Sequence, residues 1–343
     1  METTRITISG MQVSRIALGT WAIGGWMWGG TEEGEAIRTI VSAIDHGITL
    51  IDTAPVYGMG RSEEIVGKAL SENALRNRAV IATKVGLDWS GDQPWRNAGR
   101  RRIFEEVEAS LRRLRTDVID IYQVHWPDPM VPIEETADAM NTLYRQGKIR
   151  AIGVSNFSVA QIKAFTAAAH IHTVQPPYNL FERGIEKDLL PYCNWEGIAV
   201  LAYGPICRGL LSGRMSADTV FSDGDLRLTD PKFSQPRYSQ YLRAVEQLDH
   251  FARDNYGKRV IHLALRWVID QPGVTTALWG ARRPQQLDPI EQVMGWSLSN
   301  EARAEIDRII RANVTDPVGP EFMAPPARPQ TSAAGDAHVH AHA

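Results

Sequence analysis

Four polar residues set in apolar or small-residue surroundings carry the chemistry of this sequence: Asp52, Tyr57, Lys84 and His125. Asp52 closes the run Gly47-Ile48-Thr49-Leu50-Ile51-Asp52, and Tyr57 follows in Thr53-Ala54-Pro55-Val56-Tyr57-Gly58. Lys84 ends Ala79-Val80-Ile81-Ala82-Thr83-Lys84, and His125 ends Val118-Ile119-Asp120-Ile121-Tyr122-Gln123-Val124-His125. A charge at the end of a buried strand is costly unless it is paired or used. A tyrosine of pKa about 10 is a poor acid at neutral pH. A neighbouring ammonium favours phenolate and makes the hydroxyl a usable proton donor. A carboxylate beside the lysine keeps it charged and oriented, and a histidine can donate a hydrogen bond to a carbonyl oxygen. None of the four is an activated nucleophile, so the set suits proton delivery while something else attacks. A hydride from a nicotinamide is the natural complement. Singly, each residue also has a plainer reading: a helix N-cap, a structural ion pair, packing, a core histidine. Together they favour catalysis.

Groups on separate runs need a fold that brings the run ends together. Short apolar strands are expected at 14–18, 48–52, 79–84, 118–124, 149–154, 173–175, 198–202 and 274–279. Amphipathic helices alternate with them, among others from Glu63 to Leu70, Arg101 to Leu114, Ile133 to Gln146, Val159 to Ala168 and Val260 to Ile269. Ser62 and Ser158 read as N-caps, Pro132 fits a first turn, and Gly147 and Gly257 read as helix ends. Eight such units predict an α/β fold, a single-domain (β/α)8 TIM barrel with long loops at its C-terminal face. An N-terminal β-hairpin, Arg5-Ile6-Thr7-Ile8 turning at Ser9-Gly10, precedes it. An open doubly wound sheet is the alternative, weakened because no Gly-x-Gly-x-x-Gly follows the first strand. In a barrel the strand C-termini share one rim, which makes Asp52, Lys84 and His125 neighbours. The domain is expected over residues 1–323, with 324–343 a flexible tail. The segment from Gly204 to about Gln240 is long enough to be a lid. The stretch from Asp316 is expected across the surface or disordered.

Composition narrows the function further. The 343 residues are 43% hydrophobic and 22% charged, with a formal net charge of −3 that gives no argument for nucleic acid or an anionic membrane. Two cysteines, Cys193 and Cys207, imply no disulfide framework, and no apolar signal or membrane-length run is found. A cytoplasmic location is expected, as a monomer or weak homo-oligomer acting on a small-molecule carbonyl.

Long motifs then point to a family. The 47–58 run, Ala82-Thr83-Lys84, Tyr122-Gln123-Val124-His125-Trp126-Pro127, Gly147-Lys148-Ile149-Arg150-Ala151-Ile152-Gly153-Val154-Ser155-Asn156-Phe157 and Gln175-Pro176-Pro177-Tyr178-Asn179 resemble the aldo-keto reductases. The narrower likeness is to the bacterial general stress protein branch, in Gly19-Thr20-Trp21-Ala22-Ile23-Gly24-Gly25 and Asp316-Pro317-Val318-Gly319-Pro320-Glu321-Phe322-Met323. The resemblance implies NADPH/NADP+ as cofactor and reduction of small aldehydes and ketones such as methylglyoxal, glyceraldehyde or aromatic aldehydes. It makes Tyr57 the proton donor, with Lys84 lowering its pKa, Asp52 pairing with Lys84 and His125 orienting the carbonyl. Relatives that reduce a carbon–carbon double bond carry an acid in place of His125. Ser155, Asn156 and Gln175 would hold the carboxamide, Tyr203 would stack on the ring, and Thr20, Trp21 and Asp52 would join the cofactor contacts. The family also includes channel β subunits, so a nicotinamide-binding regulatory subunit is the alternative.

The phosphate end is read from Gly204-Pro205-Ile206-Cys207-Arg208 and its continuation to Arg214, glycine-dotted and basic. Its amides and Arg208 or Arg214 suit a pyrophosphate. Gly280-Ala281-Arg282-Arg283-Pro284-Gln285-Gln286 is expected to open a helix, an anion site. In the family this place receives the adenosine 2′-phosphate, so the resemblance implies Arg282 at that phosphate and Gln286 near the adenine. Where relatives carry Glu-Asn, this chain has Asp288-Pro289-Ile290-Glu291-Gln292, with Gln292 a substitute. Trp21, Trp26, Trp28, Trp89 and Trp126 fall in rim loops, and with Tyr57 and His125 suggest an aromatic substrate pocket. No metal is expected, although His338, His340 and His342 alternate in the tail.

Overall fold

The computed structural model describes residues 1–328 apart from Ile8, so the tail histidines lie outside the described residues. Twelve strands are described: β1 (Thr3–Arg5), β2 (Gln12–Ser14), β3 (Ile16–Gly19), β4 (Leu50–Asp52), β5 (Val80–Val85), β6 (Leu87–Ser90), β7 (Gln93–Arg96), β8 (Ile121–Val124), β9 (Ile152–Ser155), β10 (Thr173–Gln175), β11 (Ala199–Tyr203) and β12 (Val274–Gly280). Eight of them, in the order β3-β4-β5-β8-β9-β10-β11-β12, close into a barrel. Every ladder in it is parallel. This is the (β/α)8 barrel that the alternation predicted, with each expected strand present and several starting later than the apolar run.

Side-chain alternation explains the two layers of core. Ala17, Leu50, Ala82, Ile121, Ala151, Ala199, Leu201 and Leu278 form one cluster together with Ile6 and Val13 of the N-terminal hairpin. β1 and β2 pair antiparallel with a wider connection than Ser9-Gly10 alone, and Ile6 and Val13 are fully buried in that cluster. The alternate residues, such as Ile16, Leu18, Ile51, Ile81 and Val124, belong to the larger core shared with the helices.

Ten α-helices are described: α1 (Trp21–Gly24), α2 (Glu33–Asp45), α3 (Arg61–Glu72), α4 (Arg100–Leu114), α5 (Ile133–Arg145), α6 (Val159–Thr166), α7 (Leu189–Glu196), α8 (Arg237–Tyr256), α9 (Val260–Ile269) and α10 (Asn300–Asn313). Ser158 caps α6 in a capping box with Gln161. Ser62 is not a cap: α3 begins after Gly60, and the buried Ser62 hydroxyl links Thr20 and Thr53. That hydroxyl is more useful joining two rim loops than capping one helix. The helix expected after β12 is instead two 3-10 turns, Pro284–Gln286 and Asp288–Val293. Pro284 and Pro289 fit the first residues of short turns and supply no N–H to a longer ladder.

Two features place the rim loops. A Cβ at Gly24 would lie 2.5 Å from the Tyr57 carbonyl, and one at Gly58 (φ +69°) would strike the backbone of Gly24. Glycine at both positions lets the loops after β3 and β4 touch. An unexpected antiparallel hairpin, β6–β7, rises beyond β5. The described end of the chain runs along it: Arg96 N–H donates to the Pro326 carbonyl at 2.9 Å.

Candidate active site

At the C-terminal rim the strand ends surround a cavity of about 620 Å³. Lys84 is fully buried beneath its floor, and its Nζ donates to Asp52 Oδ2 at 2.6 Å and to the Thr53 carbonyl at 3.0 Å. The other Asp52 oxygen accepts from Gln175 Nε2 at 2.8 Å and Gln123 Nε2 at 3.2 Å. Side chains of β4, β5, β8 and β10 thus converge on one buried ion pair, which closure of the barrel makes possible. Lys84 Nζ stands 4.9 Å from the centroid of the Tyr57 ring. The Tyr57 ring meets His125 edge-on at 5.8 Å and stacks on Trp21 at 5.8 Å. The four residues singled out from the sequence are therefore brought together.

Burial and neighbouring charge set the protonation states. Burial, reinforced by the Asp52 carboxylate, pushes the Tyr57 phenol well above its ordinary range. The expected lowering by Lys84 is not found, because the ammonium is already matched by Asp52 and desolvation disfavours phenolate. Burial also lowers Lys84, with Asp52 opposing that shift. His125 is held well below its ordinary value, first by burial and then by the Lys84 charge. Near neutral pH the site presents a protonated phenol and a neutral imidazole.

The predicted cofactor residues fall into two groups. Thr20, Trp21, Asp52, Ser155, Asn156, Gln175, Tyr203, Gly204, Pro205, Ile206, Arg208, Gly280, Ala281, Arg282 and Gln286 line the cavity. Asn156 sits in the left-handed region (φ +62°), and its amide joins the His125 carbonyl to the Tyr203 hydroxyl, each at 3.0 Å. Ser155 donates to the Gln175 carbonyl at 2.7 Å. This set of hydroxyl, amides and a phenol ring fits the donors, acceptors and flat face of a nicotinamide carboxamide. Cys207 and Gln292 do not reach the cavity. Cys207 is fully buried and burial pushes its thiol up to about 12, so it is an inert core residue. The Gln292 carbonyl accepts from the Trp296 indole, in a 3-10 turn away from the cavity lining.

Of the three arginines expected at phosphates, Arg214 is exposed and outside the cavity lining, and Arg208 and Arg282 already have partners. Arg208 forms buried ion pairs with Glu182 and Asp230, and Lys232 joins Glu182 at 2.8 Å. Burial alone would raise the Glu182 carboxyl, but Arg208 and Lys232 hold it below the usual range. The balance of two acids and two bases leaves Arg208 with little charge for a pyrophosphate. Arg282 reaches the Trp28 carbonyl, while Gln286 Oε1 accepts the backbone N–H of Arg282 at 2.9 Å and of Arg283 at 3.1 Å. Gln286 thus occupies the amides that a phosphate would seek.

On the substrate side Trp21, Trp26, Trp28 and Trp126 line the cavity, whereas Trp89 does not. Trp89 lies on β6 with the Arg102 guanidinium 5.1 Å from its ring, so it braces the hairpin. Met27, Asp92, Gln93, Pro94, Leu226, Arg227 and the pair Phe322 and Met323 also line the cavity, none of them expected there from the sequence. Phe322 and Met323 were marked only as part of a family likeness, and no local pattern marks the others: Gln93 and Pro94 open β7, and the rest come from turns. The long segment after β11 contributes through Leu226, whose N–H bonds the Met27 carbonyl at 3.1 Å.

A parallel barrel whose rim carries this tetrad, beside hydroxyl and amide groups that fit a carboxamide, has the build of a nicotinamide-dependent oxidoreductase. The chain belongs to the aldo/keto reductase family, whose sequence model matches residues 15–311. It is 58% identical over 328 residues to aldo-keto reductase YhdN of Bacillus subtilis, covering 96% of this chain and 99% of that one. It is 38% identical over 302 residues to a protein of Escherichia coli named NADH-specific methylglyoxal reductase, covering 84% and 90%. Among solved structures, glycerol dehydrogenase AKR11B4 of Gluconobacter oxydans superposes with a TM-score of 0.85 at 51% identity, over 94% of this chain and 99% of that one. An aldo/keto reductase of Klebsiella pneumoniae in complex with NADP and acetate matches at a TM-score of 0.68 and 33% identity, over 88% and 93%. Among the described residues no helix is long and apolar enough to cross a membrane.

Proposed function

We propose that this enzyme reduces small aldehydes and ketones to alcohols with NADPH, using Tyr57 as proton donor. The observation that carries this reading is the Tyr57 phenol over the buried Lys84–Asp52 pair, with neutral His125 at its edge. NADPH, when bound, supplies the hydride to the carbonyl carbon. His125 donates a hydrogen bond that fixes the carbonyl oxygen facing Tyr57. The Tyr57 hydroxyl transfers its proton to that oxygen, which hydride addition makes far more basic than a phenolate, and the Lys84 ammonium lies 4.9 Å from the centroid of the ring that is left charged. Asp52 keeps Lys84 charged and aimed, helped by the Gln123 and Gln175 amides. Ser155, Asn156 and Gln175 would hold the carboxamide, and Tyr203 the ring face. Trp21, Trp26, Trp28 and Trp126 exclude water and favour a compact carbonyl compound.

The 2′-phosphate is assigned to Arg282, which would exchange its bond to the Trp28 carbonyl for the phosphate. One relative is named as NADH-specific and a structural neighbour holds NADP, so cofactor choice is part of the test. Purified protein is mixed with NADPH or NADH and methylglyoxal, glyceraldehyde or a nitrobenzaldehyde, and nicotinamide oxidation is followed. Turnover with NADPH is the expected result. Tight cofactor binding without turnover across the aldehyde panel would sink the reading and favour a regulatory subunit.

A further inference from the structure

The rim has two halves. β5 is third in barrel order and β11 seventh, so the β6–β7 hairpin that follows β5 stands across the mouth from the loop following β11. On the hairpin side the cavity wall includes Leu87, Pro94 and Trp126 with Met323 from the chain end. Two polar side chains interrupt this apolar surface, Asp92 and Gln93 at the hairpin tip. Both are exposed, and the side-chain bond each makes is to the other, Gln93 Nε2 donating to Asp92 Oδ1 at 3.1 Å. Among the described residues Asp92 has no cationic partner, unlike Asp225, which Arg227 neutralises at the same cavity.

The tip is braced. Arg96 Nε donates to the Pro325 carbonyl at 2.8 Å and Nη1 to the Pro127 carbonyl at 3.2 Å, while Asn97 bonds Asp88 at 3.1 Å. β6 and β7 keep a regular register up to Ser90 opposite Gln93. Two polar groups on a fixed element can select among ligands in a way that a loose loop cannot.

We propose that Asp92 and Gln93 are specificity residues that bind hydroxyl groups carried beyond the carbonyl carbon, making uncharged hydroxyaldehydes and hydroxyketones the preferred substrates. This rests on the carbonyl-reductase reading above. A carboxylate only accepts hydrogen bonds, so it pairs with hydroxyl donors, and the Gln93 amide supplies both a donor and an acceptor. The same unpaired carboxylate repels a substrate bearing its own carboxylate.

The test compares kcat/KM for D-glyceraldehyde, propanal and glyoxylate in the full chain and in Asp92→Ala, Asp92→Asn and Gln93→Ala, with NADPH binding as the check on folding. Loss of one hydrogen bond to a charged group should lower the glyceraldehyde-to-propanal ratio about tenfold in Asp92→Ala, chiefly through KM. Asp92→Asn should raise the glyoxylate-to-propanal ratio several-fold, since it removes the charge and keeps the shape. If the wild type reduces propanal but neither ratio moves in any variant, the inference is overturned and the carbonyl-reductase reading stands. A wild type that reduces none of the three overturns both.

Discussion

Lys84 is fully buried and Asp52 nearly so, and either charge alone would be left in a low dielectric without its partner. Lys84→Met should therefore cost about 3–5 kcal/mol in stability as well as turnover, read from urea unfolding. A loss under 1 kcal/mol would show that the pair is not what holds this floor together. Tyr57→Phe removes one hydroxyl from the cavity and leaves that pair intact. Turnover should fall by about 10²–10⁴ while nicotinamide affinity, followed by fluorescence titration, stays close to wild type. A phenylalanine variant reducing aldehydes at the wild-type rate would remove Tyr57 from its role. All four of these residues could be read from the chain, because each ends or follows an apolar run. Their ionisation could not, since the raised Tyr57 pKa comes from burial and from a carboxylate reached only by folding.

The hairpin β6–β7 shows what an element contributes beyond its residues. Its strands are four residues each, with Trp89 and Asp88 on one and Pro94 on the other, so no two-residue alternation marks them clearly. Pairing with each other and support from Arg96 decide their conformation. Arg96 also ties this hairpin to the chain end that brings Phe322 and Met323 to the cavity. Arg96→Ala should therefore raise KM for carbonyl substrates about tenfold, through lost preorganisation, and change nicotinamide affinity less. Equal effects on both constants would mean the two halves of the rim are not independent. The expected phosphate arginines illustrate the same limit. Arg208 and Arg282 were visible as basic residues near glycines, but Glu182, Asp230 and the Trp28 carbonyl that engage them come from remote segments.

For the whole molecule, acid is the most informative stress. His172 and His262 are almost fully buried, and burial, with nearby positive groups, holds both at about 4. The unfolded chain takes up these protons near pH 6.5, the folded chain only near 4. Their neutral burial thus favours the fold above about pH 6.5, and this contribution is lost as pH falls towards 4, on the order of 2 kcal/mol each. Urea midpoints measured from neutral pH downward should fall over that window, and His172→Gln should flatten part of the slope. An unchanged slope in the variant would contradict the assignment. The apolar runs, their spacing and the four chemical residues at or beyond their ends were determined by the sequence itself, because burial patterns and strand ends are local properties. Closure into a barrel then made those ends neighbours. What the tertiary structure alone decided is which charges are cancelled, which tryptophans face the cavity and that Asp92 and Gln93 stand at its mouth. Those depend on contacts between segments far apart in the chain, and no local pattern records them.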